Sequence, residues 1–326
     1  MNSLSAPRYA VIGAGMAGLA CADALAGGGA RVCVVDKGRR LGGRLATRAR
    51  DGRSFDHGAQ FASAEGPAFA DALARFEAAG TAAVWPALGG GPGPRYVGVP
   101  GMADLAAPLA DGLDVRLSTE VAAIDGAAGA WTLRLKDGAP LGPFDAVLVT
   151  APAPQAAALL APVAPDLAAQ AARAVYAPCA AAMIAAPGPA DAPAFLHPEA
   201  GPIGWACRSE TRPGRPHPAG VQQWLIHATP DWSADHLDDD KADLVAPLQA
   251  ALEALLGAPL GPPVYSAGHK WRYSLVTEAL GRPCLFEPER GLGAGGDWCL
   301  DARVEAAFES GRALAAAVAV WGTLRG

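Results

Sequence analysis

The chain opens with apolar runs separated by glycine turns. Residues 9–12 form a short apolar run that predicts a buried strand, and residues 19–26 carry apolar positions at helical spacing. A glycine run at 27–29 ends that helix, and residues 31–35 form a second apolar run. The pattern therefore predicts a strand, a helix and a second, parallel strand.

Further apolar segments predict more elements of the same kind. Residues 115–124 predict two strands around a turn, and residues 131–135 predict another. Residues 144–150 predict a buried strand, and residues 304–320 predict a long helix near the C-terminus. Strands mixed with helices in this way indicate an α/β fold.

A glycine-rich turn joins the first strand to the first helix. Gly13 permits a tight turn, Gly15 lets the backbone approach a pyrophosphate, and Gly18 allows the helix to pack on the strand. The helix start at Met16 and Ala17 offers free N–H groups and a positive dipole end to phosphate. The sequence therefore predicts that these five residues bind a dinucleotide.

An acidic residue stands where the second strand ends. Asp36 has the spacing from the glycines at which a carboxylate accepts hydrogen bonds from the adenosine ribose, and it would repel the 2′-phosphate of NADP. Lys37 follows it directly. We expect both residues to contribute to the cofactor site.

A second glycine pair follows, where an NAD-dependent dehydrogenase would normally continue into another helix and strand. Gly43 and Arg44 belong to this second approach to phosphate, which favours FAD over NAD. We expect the FAD to be bound non-covalently. The pattern resembles the GG-R signature of the flavin amine oxidase superfamily, and the resemblance makes Arg44 a phosphate or flavin-edge cation. Three neighbouring arginines are expected in a solvated turn: Arg39, Arg40 and Arg48.

Two more segments are candidates for the flavin site. The small residues Gly58 and Ala59 would let the backbone pass beside an isoalloxazine ring, with Gln60 turned toward it. Near the C-terminus, a glycine-rich approach to Asp297 and a helix starting at Val304 resemble the closing motif of the superfamily. That resemblance places Asp297 near the ribityl or pyrophosphate region, and a helix N-terminus would stabilise negative charge on a reduced flavin.

Composition narrows the classes of function. The 26 Lys and Arg against 32 Asp and Glu give a net charge of −6 without a basic block, so a nucleic-acid partner is not expected. The start lacks a secretory signal and no apolar run is long enough for a membrane helix, so we expect a soluble, cytoplasmic protein without a membrane partner. The six cysteines show no zinc-type spacing, and no metal site is expected.

Three later stretches narrow the family. Residues 224–233 (WLIHATPDWS), 269–274 (HKWRYS) and 296–300 (GDWCL) resemble those of renalase and its bacterial relatives. The resemblance implies an FAD oxidase of the 2- and 6-dihydro isomers of NAD(P)H, which forms NAD(P)⁺ and passes electrons to O₂ to give H₂O₂.

The same resemblance implies the architecture. It is a Rossmann-type FAD-binding domain of the p-hydroxybenzoate hydroxylase or amine oxidase type, with a mixed-sheet α+β substrate domain and Val121 beside the adenine. The FAD-binding domain comprises residues 1–58, 97–155 and 284–326, and the substrate domain comprises residues 59–96 and 156–283.

Candidates for the substrate pocket come from the same stretches. We expect Gln60, His269 and Arg272 near the flavin or the substrate, whereas His227 could equally be a satisfied core histidine. Two tryptophans, Trp271 and Trp298, could wall the pocket or fill the core, and residues 212–218 are expected as a surface loop.

The chemistry leaves alternatives open. A dihydronicotinamide that loses hydride becomes an aromatic cation, so its oxidation needs no catalytic base, and the sequence shows no obvious base assembly. An amine oxidase that binds its amine beside aromatic side chains is the main alternative. A flavin carrier without turnover and an NAD-dependent dehydrogenase are the others.

Overall fold

A computed structural model describes residues 6–89 and 93–323. None of the helices in these ranges combines the length and apolar character needed to cross a membrane. The strands are β1 (Arg8–Ile12), β2 (Arg31–Val35), β3 (Thr47–Arg50), β4 (Arg53–Asp56), β5 (Ala82–Val84), β6 (Tyr96–Gly98), β7 (Asp114–Arg116), β8 (Val121–Asp125), β9 (Trp131–Leu135), β10 (Pro140–Phe144), β11 (Ala146–Val149), β12 (Val175–Ala186), β13 (Phe195–Leu196), β14 (Ile203–Arg208), β15 (Gln222–Ala228), β16 (Tyr265–Glu278), β17 (Leu285–Glu287) and β18 (Leu292–Ala294). The α-helices are α1 (Met16–Gly27), α2 (Pro67–Ala78), α3 (Ala153–Leu160), α4 (Pro165–Ala171), α5 (Pro230–Asp235), α6 (Val245–Leu256) and α7 (Val304–Thr323).

A six-stranded sheet forms the first half of the fold, in the order β17-β18-β11-β1-β2-β7. All its neighbours pair in parallel except β17 and β18, which are antiparallel. The central strands β1, β2 and β11 are buried over nearly their whole length because both faces of the sheet are covered. The α/β class and the Rossmann-type sheet predicted from the sequence are confirmed.

The two faces of this sheet hold two separate cores. Val11 and Val34 point into a core shared with α1 and α7, whereas Ala10 and Val35 point toward α3, α4 and the three-stranded sheet β8-β9-β10. This division follows from the alternation of side chains along a strand. Gly311 of α7 lies so close to α1 that a Cβ there would overlap the backbone of Ala17.

A five-stranded sheet forms the second half, in the order β13-β14-β15-β12-β16. Every pairing in it is antiparallel, so the expectation of a mixed sheet is wrong for this part of the chain. Parallel pairs need a long crossover connection, whereas β14 and β15 follow each other in the chain and are joined by a single 3₁₀ turn (Ser209–Thr211) and a loop. The division into two domains at the boundaries given above stays a prediction.

The two faces of the second sheet have different partners. Ile184 and Trp224 lie on the face that packs on Leu248 and Leu252 of α6. Met183 and other residues of alternate register point away from α6 into the core of the first half. We call the face that carries Met183 the inner face, because it is turned toward the glycine turns and the β3–β4 hairpin.

Candidate active site

The first glycine turn leaves the start of α1 open. Gly13 has φ +118°, and a Cβ there would lie 2.7 Å from the hydroxyl of Thr150. A Cβ on Gly18 would overlap the carbonyl oxygen of Gly13, so helix and strand can approach this closely only with glycine. Gly15 is the N-cap of α1, and no side chain caps the first turn at Met16 and Ala17. These N–H groups are therefore available to a phosphate.

The second glycine turn packs directly on the first. The N–H of Gly42 donates to the carbonyl of Ala14 at 2.9 Å, and Gly42 and Gly15 form a parallel bridge. Gly43 has φ +56°, and a Cβ there would lie 3.3 Å from the Cα of Gly15. The two turns together form a cradle with little side-chain bulk, which fits the ADP half of a dinucleotide.

Asp36 connects the end of β2 to both neighbouring turns. Its carboxylate accepts the N–H of Ala14 at 2.6 Å and the N–H of Gly38 at 2.5 Å. The residue remains partly exposed, so it can also accept hydrogen bonds from a ribose. The Lys37 ammonium instead donates to Gln155 on the surface. Val121 begins β8 close by, because the N–H of Thr119 donates to the Asp36 carbonyl at 2.8 Å.

Asp36→Ala is expected to weaken flavin retention without slowing reduction of the flavin that stays bound, because this carboxylate organises the cradle and not the reacting ring. The flavin-to-protein absorbance ratio after gel filtration measures retention, and single-turnover reduction of the remaining holoenzyme measures the chemical step. Asp191→Ala is the matched control, since Asp191 is exposed. Equal flavin occupancy in Asp36→Ala and the parent would contradict the prediction.

Arg44 and Asp297 bind each other across the fold. The guanidinium donates to both carboxylate oxygens at 2.7 and 2.5 Å and to the carbonyl of Ser274 at 3.1 Å. It also lies over the ring of Tyr176, at 5.8 Å from the centroid. Burial opposes the charged form of Arg44, but Asp297 raises the pKa of the guanidinium above its usual value. This bidentate pair joins the second glycine turn to the C-terminal glycine turn and to β16.

The start of α7 is also held to another segment. Val304 is the first residue of this helix, and the buried Glu305 follows it. The Glu305 carboxylate accepts the N–H groups of Glu65 at 3.0 Å and of Gly66 at 2.7 Å. Gly66 is the N-cap of α2, so one carboxylate fixes the N-termini of both helices in place.

Gly58 and Ala59 pass against the second glycine turn as a closely packed backbone. A Cβ on Gly58 would overlap the Arg44 carbonyl oxygen, which also accepts the N–H of Ala59 at 2.8 Å. Small residues are therefore required here because the backbone lies close to residues 44–46, in addition to any requirement from a flavin ring.

Gln60 lies between the two halves with its amide fully engaged. Its Nε2 donates to the carbonyls of Asp56 and Gly58, both at 2.8 Å. Its Oε1 accepts from the Trp205 indole at 3.1 Å and from the Arg212 guanidinium. These contacts fix the orientation of the amide, because its nitrogen faces only acceptors and its oxygen faces only donors in them.

Asp56 is the centre of a buried ionic cluster that sequence reasoning missed. Its side chain is fully buried, and it accepts from Arg212 at 2.7 Å, from Arg215, from Thr47 at 2.6 Å and from the N–H of Met102 at 2.8 Å. Burial alone would raise the pKa of Asp56, but the two guanidinium groups and these hydrogen bonds hold it below its usual value.

The expectation of a surface loop at 212–218 is therefore wrong for its two arginines. The side chains of Arg212 and Arg215 are fully buried, and Arg212 lies over the ring of Trp85 at 4.6 Å. Asp56 ends β4, in which the two residues before it are also buried, and a buried carboxylate needs a cation partner.

A row of side chains crosses the inner face beside this cluster. Strand register places Trp205, His227, Ala181 and His269 next to one another on four adjacent strands. His57 lies against the last of them, with its ring 4.7 Å from His269 and 5.5 Å from Trp271.

The backbone carbonyl of His57 links this row to the β3–β4 hairpin through two hydrogen bonds. It accepts from the Trp271 indole at 2.7 Å and from His227 Nε2 at 3.1 Å. Because a carbonyl can only accept, His227 carries its proton on Nε2 in this arrangement. His227 is thus a hydrogen-bonded histidine that positions its neighbours. We call His57, His227, His269 and Trp271 together the inner-face wall.

All three imidazoles are held neutral. Burial lowers the pKa of His57 to about 4, with a contribution from the Arg48 charge. Burial likewise lowers the pKa of His227 to about 4. For His269, burial and the charges of nearby groups lower the pKa to about 3. At neutral pH the wall therefore presents uncharged imidazoles, each with one N–H donor and one acceptor nitrogen, and aromatic faces.

The structure does not bring Arg272 to this wall. Its side chain is 57% exposed, on the opposite face of β16 from His269, and it lies 3.6 Å from Asp238. Trp298 is buried and donates to the carbonyl of Ala151 at 3.2 Å, so it belongs to the core. The described cysteines are free, and Cys21 and Cys33 are buried in the first half as small apolar residues.

Comparison with protein families agrees with this arrangement. Residues 11–76 match the NAD(P)-binding Rossmann-like domain, and residues 79–319 match the flavin containing amine oxidoreductases. The chain belongs to the flavin containing amine oxidoreductase family. A flavin is the cofactor of this family, and the open cradle around Gly15 and Asp36 fits its nucleotide part.

Two solved structures share this fold. One is a crystal structure of a putative protoporphyrinogen oxidase from Exiguobacterium sp. 255-15, with a TM-score of 0.76, 14% identity and coverage of 98% of this chain and 100% of that chain. Another is wild-type putrescine oxidase bound to putrescine, with a TM-score of 0.69, 13% identity and coverage of 96% of this chain and 99% of that chain. At such identities the likeness concerns the fold alone.

Proposed function

We propose that the protein is an FAD-dependent oxidase of isomeric dihydronicotinamide dinucleotides, the 2- and 6-dihydro forms of NAD(P), with O₂ as the second substrate. Bound FAD, held non-covalently, would supply the hydride acceptor at N5 and pass both electrons to O₂, so that dihydronicotinamide, O₂ and one proton give NAD(P)⁺ and H₂O₂. The observation that carries the proposal is the neutral inner-face wall formed by His57, His227, His269 and Trp271.

The wall suits a substrate that needs no proton removed. Among the described residues, Asp56 is the carboxylate whose charge acts on the histidine rings of the wall. Its oxygens already accept hydrogen bonds from two arginines, from Thr47 and from the N–H of Met102. A dihydronicotinamide becomes an aromatic cation when hydride leaves, so alignment against the wall can supply much of the rate. Gln60 and His269 are the residues we propose at this surface, with Arg272 outside it.

The charge nearest the wall also favours a phosphate-bearing substrate. Arg48 acts on both His57 and His269 as a positive charge, whereas Arg212 is paired with the Asp56 carboxylate. A cationic diamine would be repelled by Arg48, and the pyrophosphate of a dinucleotide would be attracted to it.

Arg48 also corrects an expectation from the sequence. It is half-buried on β3 and does not lie in a solvated turn, whereas Arg39 and Arg40 are exposed as expected.

An amine oxidase is the second candidate, on the strength of an aromatic group next to the wall. The Trp205 ring lies 5.3 Å from Phe195 in a stacked arrangement and 6.3 Å from Phe61. Such a group could hold a neutral amine by its apolar surface.

The test follows flavin bleaching in stopped-flow absorbance after aerobic holoenzyme is mixed with each substrate. The panel contains 2-dihydro- and 6-dihydro-NAD(P), ordinary NADH and a set of amines including putrescine. Fast bleaching by a 2- or 6-isomer with H₂O₂ production is the expected result. Bleaching by an amine alone would move the function to the second candidate.

Two substitutions on β16 separate the wall from the opposite face. His269→Phe is expected to slow flavin reduction at least tenfold, because an aromatic ring is kept but the acceptor nitrogen and the N–H donor of the imidazole are lost from the wall. Arg272→Ala is expected to leave the rate within about twofold, since its exposed side chain points away. The limiting single-turnover rate and the substrate Kd are measured for both. Equal slowing in the two variants would remove His269 from the proposed site.

A further inference from the structure

Three partly exposed aromatic rings lie together at the β13–β14 end of the inner face. The Phe195 ring stacks on the Trp205 ring at 5.3 Å between centroids, and the Phe61 ring lies 6.3 Å from Trp205. Each of these side chains packs against the buried core and still remains partly exposed. We call Phe61, Phe195 and Trp205 the aromatic platform. Exposed apolar rings that cluster in one place are typical of binding surfaces.

The aromatic platform continues the inner-face wall along the same row of the sheet. Trp205 stands opposite His227 in the register of β14 and β15, so both side chains point to the inner face. The Trp205 indole donates to Gln60 Oε1 at 3.1 Å, and Gln60 Nε2 lies 3.5 Å from His227 Nε2. Trp205 and His269 are three strands apart, which corresponds to about 14 Å. The riboses and pyrophosphate that join the two rings of a dinucleotide can span such a distance.

The register of the last strand leaves the aromatic platform open on one side. Phe195 stands opposite Cys207, two positions from Trp205 on β14, so its ring is on the inner face as well. β13 contains only Phe195 and Leu196, and it is the edge strand of the five-stranded sheet. No further strand in the described ranges covers the aromatic platform beyond β13.

One cation accompanies these rings. The guanidinium of Arg95 lies over the Phe61 ring, at 5.3 Å from the centroid. Arg95 is partly exposed, and its side chain forms no hydrogen bond or ion pair in the described ranges. Glu65, four positions after Phe61, is already in an ion pair. Asp191 and Glu199 are exposed in the turns on either side of β13, and neither pairs with Arg95.

Aromatic rings and a free guanidinium suit a nucleotide. A purine presents a flat π surface that stacks on aromatic side chains, and a guanidinium fork matches the oxygens of a phosphate. A diamine such as putrescine has no flat ring, and its positive charges would be repelled by Arg95.

We propose that the aromatic platform and Arg95 bind the AMP half of the dinucleotide substrate. The adenine rests against Phe61 and Phe195, and Arg95 binds the adjoining phosphate, while the nicotinamide end lies against the inner-face wall. The inference rests on the proposed function, and it adds a part of the substrate that is recognised at a distance from the reacting ring. Binding energy from such a remote part helps to align the ring.

The experiment compares two substrates that differ only in the AMP half. Stopped-flow reduction of flavin-loaded protein gives Kd values for 6-dihydro-NAD and for 6-dihydronicotinamide mononucleotide. Phe195→Ala is expected to raise the Kd for the dinucleotide about tenfold, and Arg95→Ala about fivefold. Both variants should keep the parent's Kd and limiting rate for the mononucleotide, which also shows that they fold and retain flavin.

Two matched controls remove similar groups from other parts of the chain. Phe286 is a partly exposed ring that lies 5.9 Å from Trp321, and Arg312 lies over the Phe308 ring at 5.7 Å. Phe286→Ala and Arg312→Ala should leave the Kd values of both substrates unchanged.

A second measurement separates this inference from the proposed function. AMP binding is followed by titration calorimetry on flavin-loaded protein, in which the cofactor already fills the glycine cradle. If no dihydronicotinamide bleaches the flavin but AMP binds to the parent and binds more weakly to Phe195→Ala, the oxidase proposal fails and the AMP site stands.

Four results would overturn the AMP site. They are no AMP binding to the parent, unchanged affinity for AMP and dinucleotide in both variants, an equal loss for the mononucleotide, and putrescine binding that replaces AMP binding and is weakened by Phe195→Ala. Sedimentation of the parent and Phe195→Ala adds one more. A dimer that dissociates on this substitution would assign the aromatic platform to contact with a second copy of the chain.

Discussion

Asp56→Ala is expected to lower the free energy of unfolding by about 3 to 5 kcal/mol, because it leaves two buried guanidinium groups without their counter-charge. The side chains of Asp56, Arg212 and Arg215 are all fully buried, and Arg215 donates to the Asp56 carboxylate through both Nε and NH2. Water cannot reach these cations to replace the lost carboxylate. Urea or guanidinium denaturation monitored by tryptophan fluorescence measures the change.

Asp125→Ala is the matched control for this prediction. Asp125 forms an ion pair with Arg134 at 2.9 Å, but both side chains are about half exposed, so its loss is expected to cost no more than about 1 kcal/mol. Similar destabilisation by the two substitutions would show that the buried cluster contributes no more to the free energy of unfolding than an exposed ion pair.

Acid should diminish the difference between the parent and Asp56→Ala. The folded-state pKa of Asp56 is lowered, so its contribution is fully present above the unfolded pKa of about 3.9 and is lost as the pH falls through the folded value. Denaturation curves at pH 7 and below pH 4 should therefore differ more between the two proteins at pH 7. A gap that widens on acidification would contradict the assigned cause.

The cluster also explains how a distant loop can influence the wall. Arg212 donates to Gln60 as well as to Asp56, and Gln60 donates to the Asp56 carbonyl. Loss of the Asp56 carboxylate would free Arg212 on one side and so act on the Gln60 amide through Arg212, while the Asp56 carbonyl would still accept from Gln60.

The N-terminal unit could be predicted because its determinants are local. Gly13, Gly15 and Gly18 stand within one turn and one helix start, and each requirement follows from the adjoining backbone. Asp36 follows directly from the end of β2. Short-range geometry of this kind is encoded in the spacing of residues along the chain.

Long-range pairings could not be read in the same way. Arg44 and Asp297 were both expected near the cofactor, but their bidentate contact spans 253 positions. The arginines near residue 212 stand among Pro and Gly, which is the composition of a surface turn, and their burial depends on Asp56 at the far end of a hairpin.

Arg272 is a different case, because the sequence contained the information. Successive side chains of a strand alternate between its faces, so residues three apart point in opposite directions. The same rule that separates Lys270 from His269 also separates Arg272 from it. Applied to the whole HKWRYS stretch, alternation groups His269 with Trp271 and Tyr273.

Gly18→Ala is expected to abolish stable flavin binding and to destabilise the first half of the fold. A Cβ at this position would overlap the Gly13 carbonyl oxygen and would lie 2.6 Å from the Thr150 hydroxyl. The first obstacle is backbone of the glycine turn, so the start of α1 must move away from β1 and the N–H groups that face the phosphates move with it. Flavin content after gel filtration and the unfolding midpoint of the protein measure the two effects.

Gly27→Ala on the same helix provides the control for that substitution. Gly27 ends α1, and a Cβ there would meet nothing within 4 Å. Alanine should therefore be accepted without strain and should stabilise the protein by about 0.4 to 1 kcal/mol, because it reduces the freedom of the unfolded chain. Full flavin content is expected in Gly27→Ala. If Gly18→Ala also retained its flavin, the close contact between α1 and the glycine turn would not be what shapes the cofactor site.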